Sequence, residues 1–390
     1  MPRFKSIVFL LFLLLTFKNI SATQVKIGVL YGSMLNEINV SYKNGNSALY
    51  CDSVLLKQDS SDFNLKIVAQ NDSIFAYKGD SIFVCGKSFQ IKAIEYCVNV
   101  LNHPKFKQEK VYSGSLIFNN VNGFLFIVND IEIEDYLPGV LEAEVGLKRP
   151  PEYYKVQAII CRTYTLSHLR RHEMEDINLC DREHCQVYKG VSNKNQELNK
   201  AVSKTADVVM VDNDFLLITA AFHANCGGQT VNSEDVWNNR LSYLRSIKDT
   251  FCLREKSAVW SKQISLEKWK ECMLKLCPNY DYGSDSLISG KDNNFLQFTR
   301  KKDYSTGTCT IPLKEIRTAL GLRSTFFNAF YKDGIITLSG RGFGHGAGLC
   351  QDGAIRMAKL GYSYKTILHY YYQNTSIINL DKLDFFMYVE

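Results

Sequence analysis

A carboxylic acid, Glu144, stands where a helix would place an apolar side chain. Apolar residues precede it at the i, i+3, i+4, i+7 spacing of one helix face, namely Leu137, Val140 and Leu141. A carboxyl group held among such side chains is desolvated, which raises its pKa toward the range useful to a proton donor. Glu144 is therefore a candidate general acid. The alternative is a surface glutamate at a frayed helix end, because Pro138 and Gly139 weaken a helix here.

A second group of reactive side chains comprises His172, Cys180, His184 and Cys185. Two thiolates and two imidazoles form a soft tetrahedral donor set that suits zinc. Because four protein ligands leave no open position, such a zinc would be structural. The alternative is a Cys180–Cys185 disulfide with two ordinary surface histidines.

Polar side chains surround a glycine pair after a predicted strand. Gly227 and Gly228 permit a tight turn, and His223, Asn225 and Gln229 offer donors and acceptors that suit sugar hydroxyls. We expect this turn to form a wall of a site, although a plain loop would need only the glycines.

A longer glycine-rich segment, residues 340–354, surrounds Arg341, Phe343 and His345 and precedes a predicted helix that begins at Gln351. This composition is typical of backbone that approaches a substrate closely. A phosphate-binding loop is the competing interpretation. The segment lacks the Lys-Ser/Thr ending of such a loop.

These groups must be positioned by an α+β fold. Residues 23–129 alternate short β-rich runs with turn formers, which predicts a β-rich N-terminal region. From about residue 130 the pattern changes, with helices predicted over 152–171, 265–277, 351–360 and 364–372. We therefore expect a mixed catalytic domain over 130–390, with an insertion around 255–310.

The chain begins with a short basic stretch, an apolar run from Ile7 to Phe17 and a small-residue exit at Ser21-Ala22, so residues 1–22 are predicted to be a signal peptide. We expect an exported protein of the periplasm or cell envelope, with no membrane span after cleavage. The net charge of +6 is spread along the chain, which excludes the clustered basic patches of a nucleic-acid binder.

Twelve cysteines in an exported chain are able to form disulfides. Closeness along the chain suggests the pairs Cys85–Cys97 and Cys272–Cys277. We expect Cys161, in an apolar helix, to be a buried free thiol.

The chain resembles the stage II sporulation protein D (SpoIID) family, which also includes amidase enhancers. The matching stretches, in family order, are EDYLPGVLEAE (134–144), KVQAIICRTY (155–164), QVYKG (186–190), NCGG (225–228) and GFGHGAGLCQDGA (342–354). The chain departs from the family pattern after the acid, where Val145-Gly146 replaces Met-Pro. The β-rich region shows no matching motif.

The resemblance implies a lytic transglycosylase that cuts peptidoglycan glycan strands, in the best-understood members strands that an amidase has stripped of peptides. It also implies a zinc at His172, Cys180, His184 and Cys185. A lytic transglycosylase manages with one carboxylate: Glu144 would protonate the glycosidic oxygen and then accept a proton from the muramic acid 6-hydroxyl as the 1,6-anhydro ring forms. The expected cleft residues are Arg162, Tyr188, Asn225, Gly227, Gly228, His345 and Gln351, with Tyr164 as a further wall residue.

Two alternatives remain open. The first is a non-enzymatic, glycan-binding amidase enhancer of the cell envelope, whose partner would be a cell-wall amidase. The second is a peptidoglycan hydrolase in which the cysteine and histidine cluster holds a catalytic zinc. A role in sporulation belongs to the resemblance alone.

Overall fold

The structure is a computed structural model that describes residues 23–43, 45–59, 62–191, 196–290 and 293–382. The predicted signal peptide, residues 1–22, lies outside the described residues. Among the helices that are described, none has both the length and the apolar character needed to cross a bilayer.

Alternating apolar and polar residues form the strands of the N-terminal region. In the strand Phe63–Gln70, for example, Phe63, Leu65, Ile67 and Ala69 are buried and their neighbours are more exposed. The strands of this region are Gln24–Val29 (β1), Glu37–Lys43 (β2), Ser47–Cys51 (β3), Val54–Asp59 (β4), Phe63–Gln70 (β5), Ser73–Lys78 (β6), Ser81–Cys85 (β7), Ser88–Ala93 (β8), Val98–Asn102 (β9), Lys110–Ser113 (β10), Ser115–Val121 (β11) and Phe124–Glu132 (β12).

These strands form two sheets. One has the order β10-β9-β2-β5-β6-β7, and the other joins β1, β12, β11, β8, β3 and β4 in that order. A disulfide between Cys51 on β3 and Cys85 on β7 links the two sheets. The β-rich N-terminal region predicted from sequence is confirmed, and the fold is mixed α+β.

The helix predicted to carry Glu144 is present as Ile133–Val145 (α1) and follows β12 directly. Acidic residues Glu134 and Asp135 lie in its first turn, where the helix dipole favours negative charge. The helix ends at Gly146, whose positive φ of 70° suits glycine. Pro138 and Gly139 are therefore accommodated inside a helix whose apolar face is buried.

The long predicted helix is Pro151–Ser167 (α2), with Pro151 in its first turn. The remaining elements of this part of the chain complete the packing around α2. They are Leu179–Cys180 (β13), Gln196–Lys204 (α3), Val208–Val211 (β14) and Phe222–His223 (β15). The short strand β13 adds in parallel to β1 at the edge of the first sheet.

Residues 259–341 form a second unit with its own hydrophobic core, which includes Trp269, Met273 and Leu338. Its elements are Val259–Ser265 (β16), Leu266–Leu276 (α4), Ser286–Ser289 (α5), Asn294–Phe295 (β17), Asp303–Ser305 (β18), Thr310–Pro312 (β19), Leu313–Leu320 (α6), Phe327–Lys332 (β20) and Ile335–Arg341 (β21). Its main sheet has the order β16-β21-β20-β17. The predicted insertion boundary near residue 310 therefore falls inside this core, since α6, β20 and β21 continue it.

The chain then returns to the first core through Leu349–Cys350 (β22), Gln351–Lys359 (α7), Tyr364–Tyr371 (α8) and Ser376–Asn379 (β23). That core is continuous across residue 130, because Ile127 and Ile131 on β12 pack in the same cluster as Leu137 and Val140 on α1. The division into an N-terminal region and a catalytic domain remains a prediction.

Both disulfide pairs guessed from closeness along the chain are wrong. Cys85 bonds Cys51, and Cys277 bonds Cys309 at a sequence separation of 32. Cys97 and Cys272 are buried free thiols, as is Cys161. Proximity in sequence failed because tertiary packing brings the bonded sulfurs together: β3 and β7 lie in different sheets, and Cys277 follows α4 while Cys309 precedes β19.

Candidate active site

Glu144 is half-buried on α1, and its carboxylate is fixed by one backbone contact. The N–H of Val187 donates to Glu144 Oε1 at 2.8 Å. Burial raises the pKa of Glu144 above its usual range, the Val187 N–H opposes this shift, and the negative charge of Glu183 reinforces it. The carboxyl group thus has the environment predicted from the helical spacing.

The chain segment that carries Val187 lies against α1 because residue 139 has no side chain. A Cβ at Gly139 would lie 2.1 Å from the carbonyl oxygen of Gly190 and 2.7 Å from the Tyr188 ring. Gly139 therefore permits the close approach that puts Val187 N–H within reach of Glu144. Gly139 has a low helix propensity, but the packing of the site requires a glycine at this position.

Glu144 lines a cleft of about 750 Å³, within the size range of small-molecule sites. His345, from the glycine-rich segment, lies in the same cleft. The other lining residues come from α2, the loop after it, and residues 219–241: Tyr164, His168, Arg171, Glu183, His184, Cys185, Val187, Thr219, Ala220, Ala221, Phe222, Trp237, Asn239 and Leu241.

His345 is a wall of this cleft and is held neutral. Its Nε2 lies 2.8 Å from the carbonyl oxygen of Phe222, and its Nδ1 accepts from the N–H of Ala347 at 3.2 Å. Burial lowers the pKa of His345 to about 4. Because both ring nitrogens are engaged by backbone, His345 offers its ring face, which lies 5.2 Å from the Trp237 ring.

Gly227 and Gly228 were expected to form a wall of the site, but they do not line this cleft. Asn225 is fully buried, and its side-chain N–H donates to Asp352 Oδ2 at 2.9 Å. A Cβ at Gly227 would lie 2.7 Å from the Arg341 backbone, and one at Gly342 would lie 2.7 Å from Asn225 O. The two glycine-rich segments thus pack backbone against backbone, so these glycines serve that contact rather than substrate approach.

Arg162 and Tyr188 are also interior residues, so the structure does not place them on the cleft. Arg162 donates from Nε and Nη2 to the two carboxylate oxygens of Glu134 at 2.6 and 2.7 Å, and from Nη1 to Val208 O. Tyr188 donates to Asn129 Oδ1 at 3.2 Å. Both side chains lock α1 and α2 to their neighbours, as expected of buried polar groups with partners.

Gln351, also predicted to bind substrate, begins α7 and does not line the cleft. Its Nε2 is buried and has no hydrogen-bond partner among the described residues.

The cysteine and histidine cluster predicted from sequence comes together beside the cleft. One donor atom from each of His172, Cys180, His184 and Cys185 lies within 4.8 Å of the others. Cys185 Sγ is 3.4 Å from His172 Nε2 and 3.7 Å from His184 Nδ1. The two cysteines are not joined by a disulfide.

These donors suit zinc. Bond lengths of about 2.0 Å to nitrogen and 2.3 Å to sulfur would set neighbouring nitrogen and sulfur ligands about 3.6 Å apart on a tetrahedral ion. His172 Nδ1, on the far side of the ring from Cys185, lies 2.9 Å from Glu175 Oε1. A carboxylate in this position orients metal-binding histidines. The loop of this cluster continues directly to Val187, which holds Glu144.

The sequence model of the family described as Stage II sporulation protein matches residues 122–211, which include Glu144 and the whole cysteine and histidine cluster. A stage II sporulation protein D from Bacillus subtilis is 28% identical over 271 residues, covering 65% of this chain and 76% of that protein. Over these residues the chain is similar to the stage II sporulation protein D (SpoIID) family.

Two further relatives are similar to longer parts of the chain. An amidase enhancer of Bacillus subtilis is 29% identical over 289 residues, which cover 62% of this chain and 40% of that protein. An uncharacterized protein of Brachyspira hyodysenteriae is 27% identical over 317 residues, 80% of each chain.

Sequence reasoning missed several residues that line the cleft. Trp237 is 38% exposed, which is unusual for so large an apolar side chain and leaves a ring face in the cleft. Arg171 and Glu183 supply charge. The sequence held a signal for Arg171 and Glu183, because each directly precedes a predicted metal ligand, His172 or His184. Trp237 had no such signal, because it lies in a loop without a periodic pattern.

Proposed function

We propose that the chain is a peptidoglycan lytic transglycosylase with Glu144 as its acid and base. The observation that carries the proposal is a half-buried carboxyl group of raised pKa, oriented by Val187 N–H, in a cleft with aromatic walls. A neutral carboxylic acid is what protonation of a glycosidic oxygen requires.

The reaction needs no activated water. Glu144 gives its proton to the bridging oxygen as the bond to the muramic acid anomeric carbon breaks. The 6-hydroxyl of the same ring attacks that carbon, and its proton returns to Glu144 as the 1,6-anhydro ring forms. Since Val187 N–H already points at Oε1, it stabilises the carboxylate charge that develops during the first step.

The walls suit sugar rings and a free carboxylate. Trp237, His345 and Tyr164 line the cleft with aromatic rings, against which the apolar faces of sugars would pack. Arg171 adds a cation to the lining of the same cleft. When an amidase removes the stem peptide, it leaves a carboxylate on the muramic acid, so Arg171 favours glycan that has been stripped in this way.

We propose that His172, Cys180, His184 and Cys185 hold a zinc ion in a structural role. With four protein ligands, the ion would close a tetrahedral shell and keep the loop before Val187 in place. Adding a chelator to folded protein would then remove activity slowly and together with stability. Immediate loss of turnover would instead support the zinc hydrolase alternative.

Glu183 also lines the cleft, so an ordinary glycosidase that uses Glu144 and Glu183 together is a competing enzyme class. An ordinary glycosidase needs two carboxyl groups and forms reducing ends. We therefore propose mass analysis of the products that wild type, Glu144→Gln and Glu183→Gln release from purified peptidoglycan. We expect anhydro-muramic ends from wild type and Glu183→Gln, and a loss of at least about a hundredfold in Glu144→Gln. Reducing ends, or equal loss in both variants, would contradict the proposal.

The same assay tests the glycan specificity when it is run with and without prior amidase treatment. Arg171→Gln should lose the preference for amidase-treated strands, whereas Arg170→Gln should keep it, because Arg170 pairs with Glu173 outside the cleft lining.

The printed name of the amidase enhancer relative supports a second candidate, a glycan-binding stimulator of a cell-wall amidase. Stimulation of an amidase that is unchanged in Glu144→Gln, without any anhydro product from wild type, would favour it. Under either function we propose that the protein is exported to the cell envelope, which the two disulfides support.

A further inference from the structure

A second cluster of metal-binding side chains lies buried behind the glycine-rich segments. One donor atom from each of Cys226, Asp249, Cys252 and Cys350 lies within 4.8 Å of the others, and all four residues are fully buried. Cys226 Sγ is 3.4 Å from Cys252 Sγ and 3.3 Å from Asp249 Oδ2. None of these cysteines takes part in a disulfide.

The spacing fits one tetrahedral ion. Zinc binds sulfur at about 2.3 Å, so two sulfur ligands on one ion lie about 3.7 Å apart. The donor set of three sulfurs and one carboxylate is chemically soft, which favours zinc over calcium or magnesium. Unlike the bonded pairs Cys51–Cys85 and Cys277–Cys309, this cluster has three thiols, which cannot all pair with one another.

The groups around the cluster hold its donors in place. Tyr371 donates to Asp249 Oδ2 at 2.9 Å, and the N–H of Phe251 donates to Asp249 Oδ1 at 2.9 Å. The N–H of Cys226 donates to Cys350 Sγ at 3.3 Å. Hydrogen-bonded outer groups of this kind are typical of metal sites.

The buried charge of the cluster also favours a bound cation. Asp249 is a fully buried carboxyl group whose hydrogen-bond donors are the neutral groups of Cys226, Phe251 and Tyr371, so a bound cation would compensate its charge. The nearest guanidinium, Arg300, donates to the backbone oxygen of Cys226 at 2.6 Å and to Gln229 O at 2.6 Å, so its hydrogen bonds are directed at backbone rather than at the sulfurs.

We propose that Cys226, Asp249, Cys252 and Cys350 bind a second structural zinc ion. This ion joins three distant segments: the turn after β15, residues 249–252 and the N-terminus of α7. Because β15 and β22 pair in parallel next to His345, the ion would fix one wall of the cleft from behind. The site does not depend on the proposed reaction.

The test is the metal content of full-length protein purified from an oxidising compartment. Cys350→Ser should contain one zinc equivalent less than wild type. Cys272→Ser is the matched control, since Cys272 is a buried free thiol of the second core and should leave the content unchanged. Equal zinc in wild type and Cys350→Ser would overturn the proposal.

A measurement on wild type covers the case in which Cys350→Ser does not fold. After exchange of zinc for cobalt, thiolate-to-cobalt absorption should correspond to five sulfur ligands if both clusters bind metal, and to two if only the cluster at His172 does. Peptide mass analysis without reductant tests for the contradicting result. A disulfide between any two of Cys226, Cys252 and Cys350 would exclude the site.

Discussion

Two charged residues act on the Glu144 carboxyl group in opposite directions. The negative charge of Glu183 raises the pKa of Glu144 and the positive charge of Lys189 lowers it, both after the larger effects of burial and of Val187 N–H. Glu144 must be protonated to act as the acid, so activity is lost as pH rises through its pKa. A raised pKa therefore extends activity to higher pH than an ordinary glutamate would allow.

This arrangement predicts pH shifts of opposite sign. Glu183→Gln removes the repulsive charge, so the alkaline limb of the kcat profile should move to lower pH. Lys189→Met removes the attractive charge, so the limb should move to higher pH. Profiles measured on the same glycan check both variants. Movement in the same direction would show that another group controls the limb.

At the scale of elements, the acid is positioned by the contact between α1 and residues 187–190. Gly139 is the point of closest approach, and Tyr188 packs 4.8 Å from the Tyr136 ring on α1. Helical spacing in the sequence predicted α1 and the direction of Glu144 within it. The contact itself was beyond prediction, because it joins positions almost fifty residues apart.

Gly139→Ala should disturb this contact. The added methyl group would overlap Gly190 O, so we expect a loss of about 1–3 kcal/mol in the free energy of unfolding and a lower kcat. Urea unfolding and turnover on the same samples measure both. Ala143→Gly is the control on the same helix. It should lose about 1 kcal/mol through helix propensity while kcat stays close to wild type.

The proposed zinc at His172 depends on its outer carboxylate. Glu175→Gln weakens the contact that orients His172, so zinc affinity should fall by about 10–100-fold in competition with a chromogenic chelator. Glu173→Gln is matched in charge and lies two residues away, but its carboxylate pairs with Arg170. An equal loss in both variants would mean that net charge, rather than the His172 contact, sets the affinity.

The elements that the sequence predicted correctly are those with a local signal. The spacing of apolar residues located α2, α4, α7 and α8, and the alternation of residues located strands such as β11 and β12. Arg162, Asn225 and Gly227, which were predicted to line the cleft, lie among other segments instead, and the sequence could not reveal this for a common reason. Polar and glycine-rich stretches look alike whether they face a ligand or a neighbouring segment, and only the packing of distant segments distinguishes the two.

At the scale of the whole molecule, two hydrophobic cores are present in the described chain. The first joins the N-terminal sheets to α1, α2, α7 and α8, and the second lies within residues 259–341. Each contains one disulfide, Cys51–Cys85 in the first part and Cys277–Cys309 in the second. The sequence predicted an insertion around 255–310 but not the full extent of the second core. That core extends to Arg341 because β21 pairs with β16, its first strand, and such long-range pairing leaves no local signal.

Replacing both Cys277 and Cys309 by serine should destabilise the second core selectively. Opening a loop of 32 residues corresponds to about 3–4 kcal/mol of chain entropy. We expect calorimetry to show one transition shifted to lower temperature while the transition of the first core changes little. A uniform shift of a single transition would show that the two cores unfold as one cooperative unit.

The cleft is assembled from segments far apart in the sequence, with Glu144 on α1 and His345 more than two hundred residues later. If the protein is exported and cleaves glycan as we propose, Glu144 would leave the export channel long before His345. A newly made molecule would then lack a complete cleft until most of its length had emerged, and a product truncated before His345 should be inactive toward peptidoglycan.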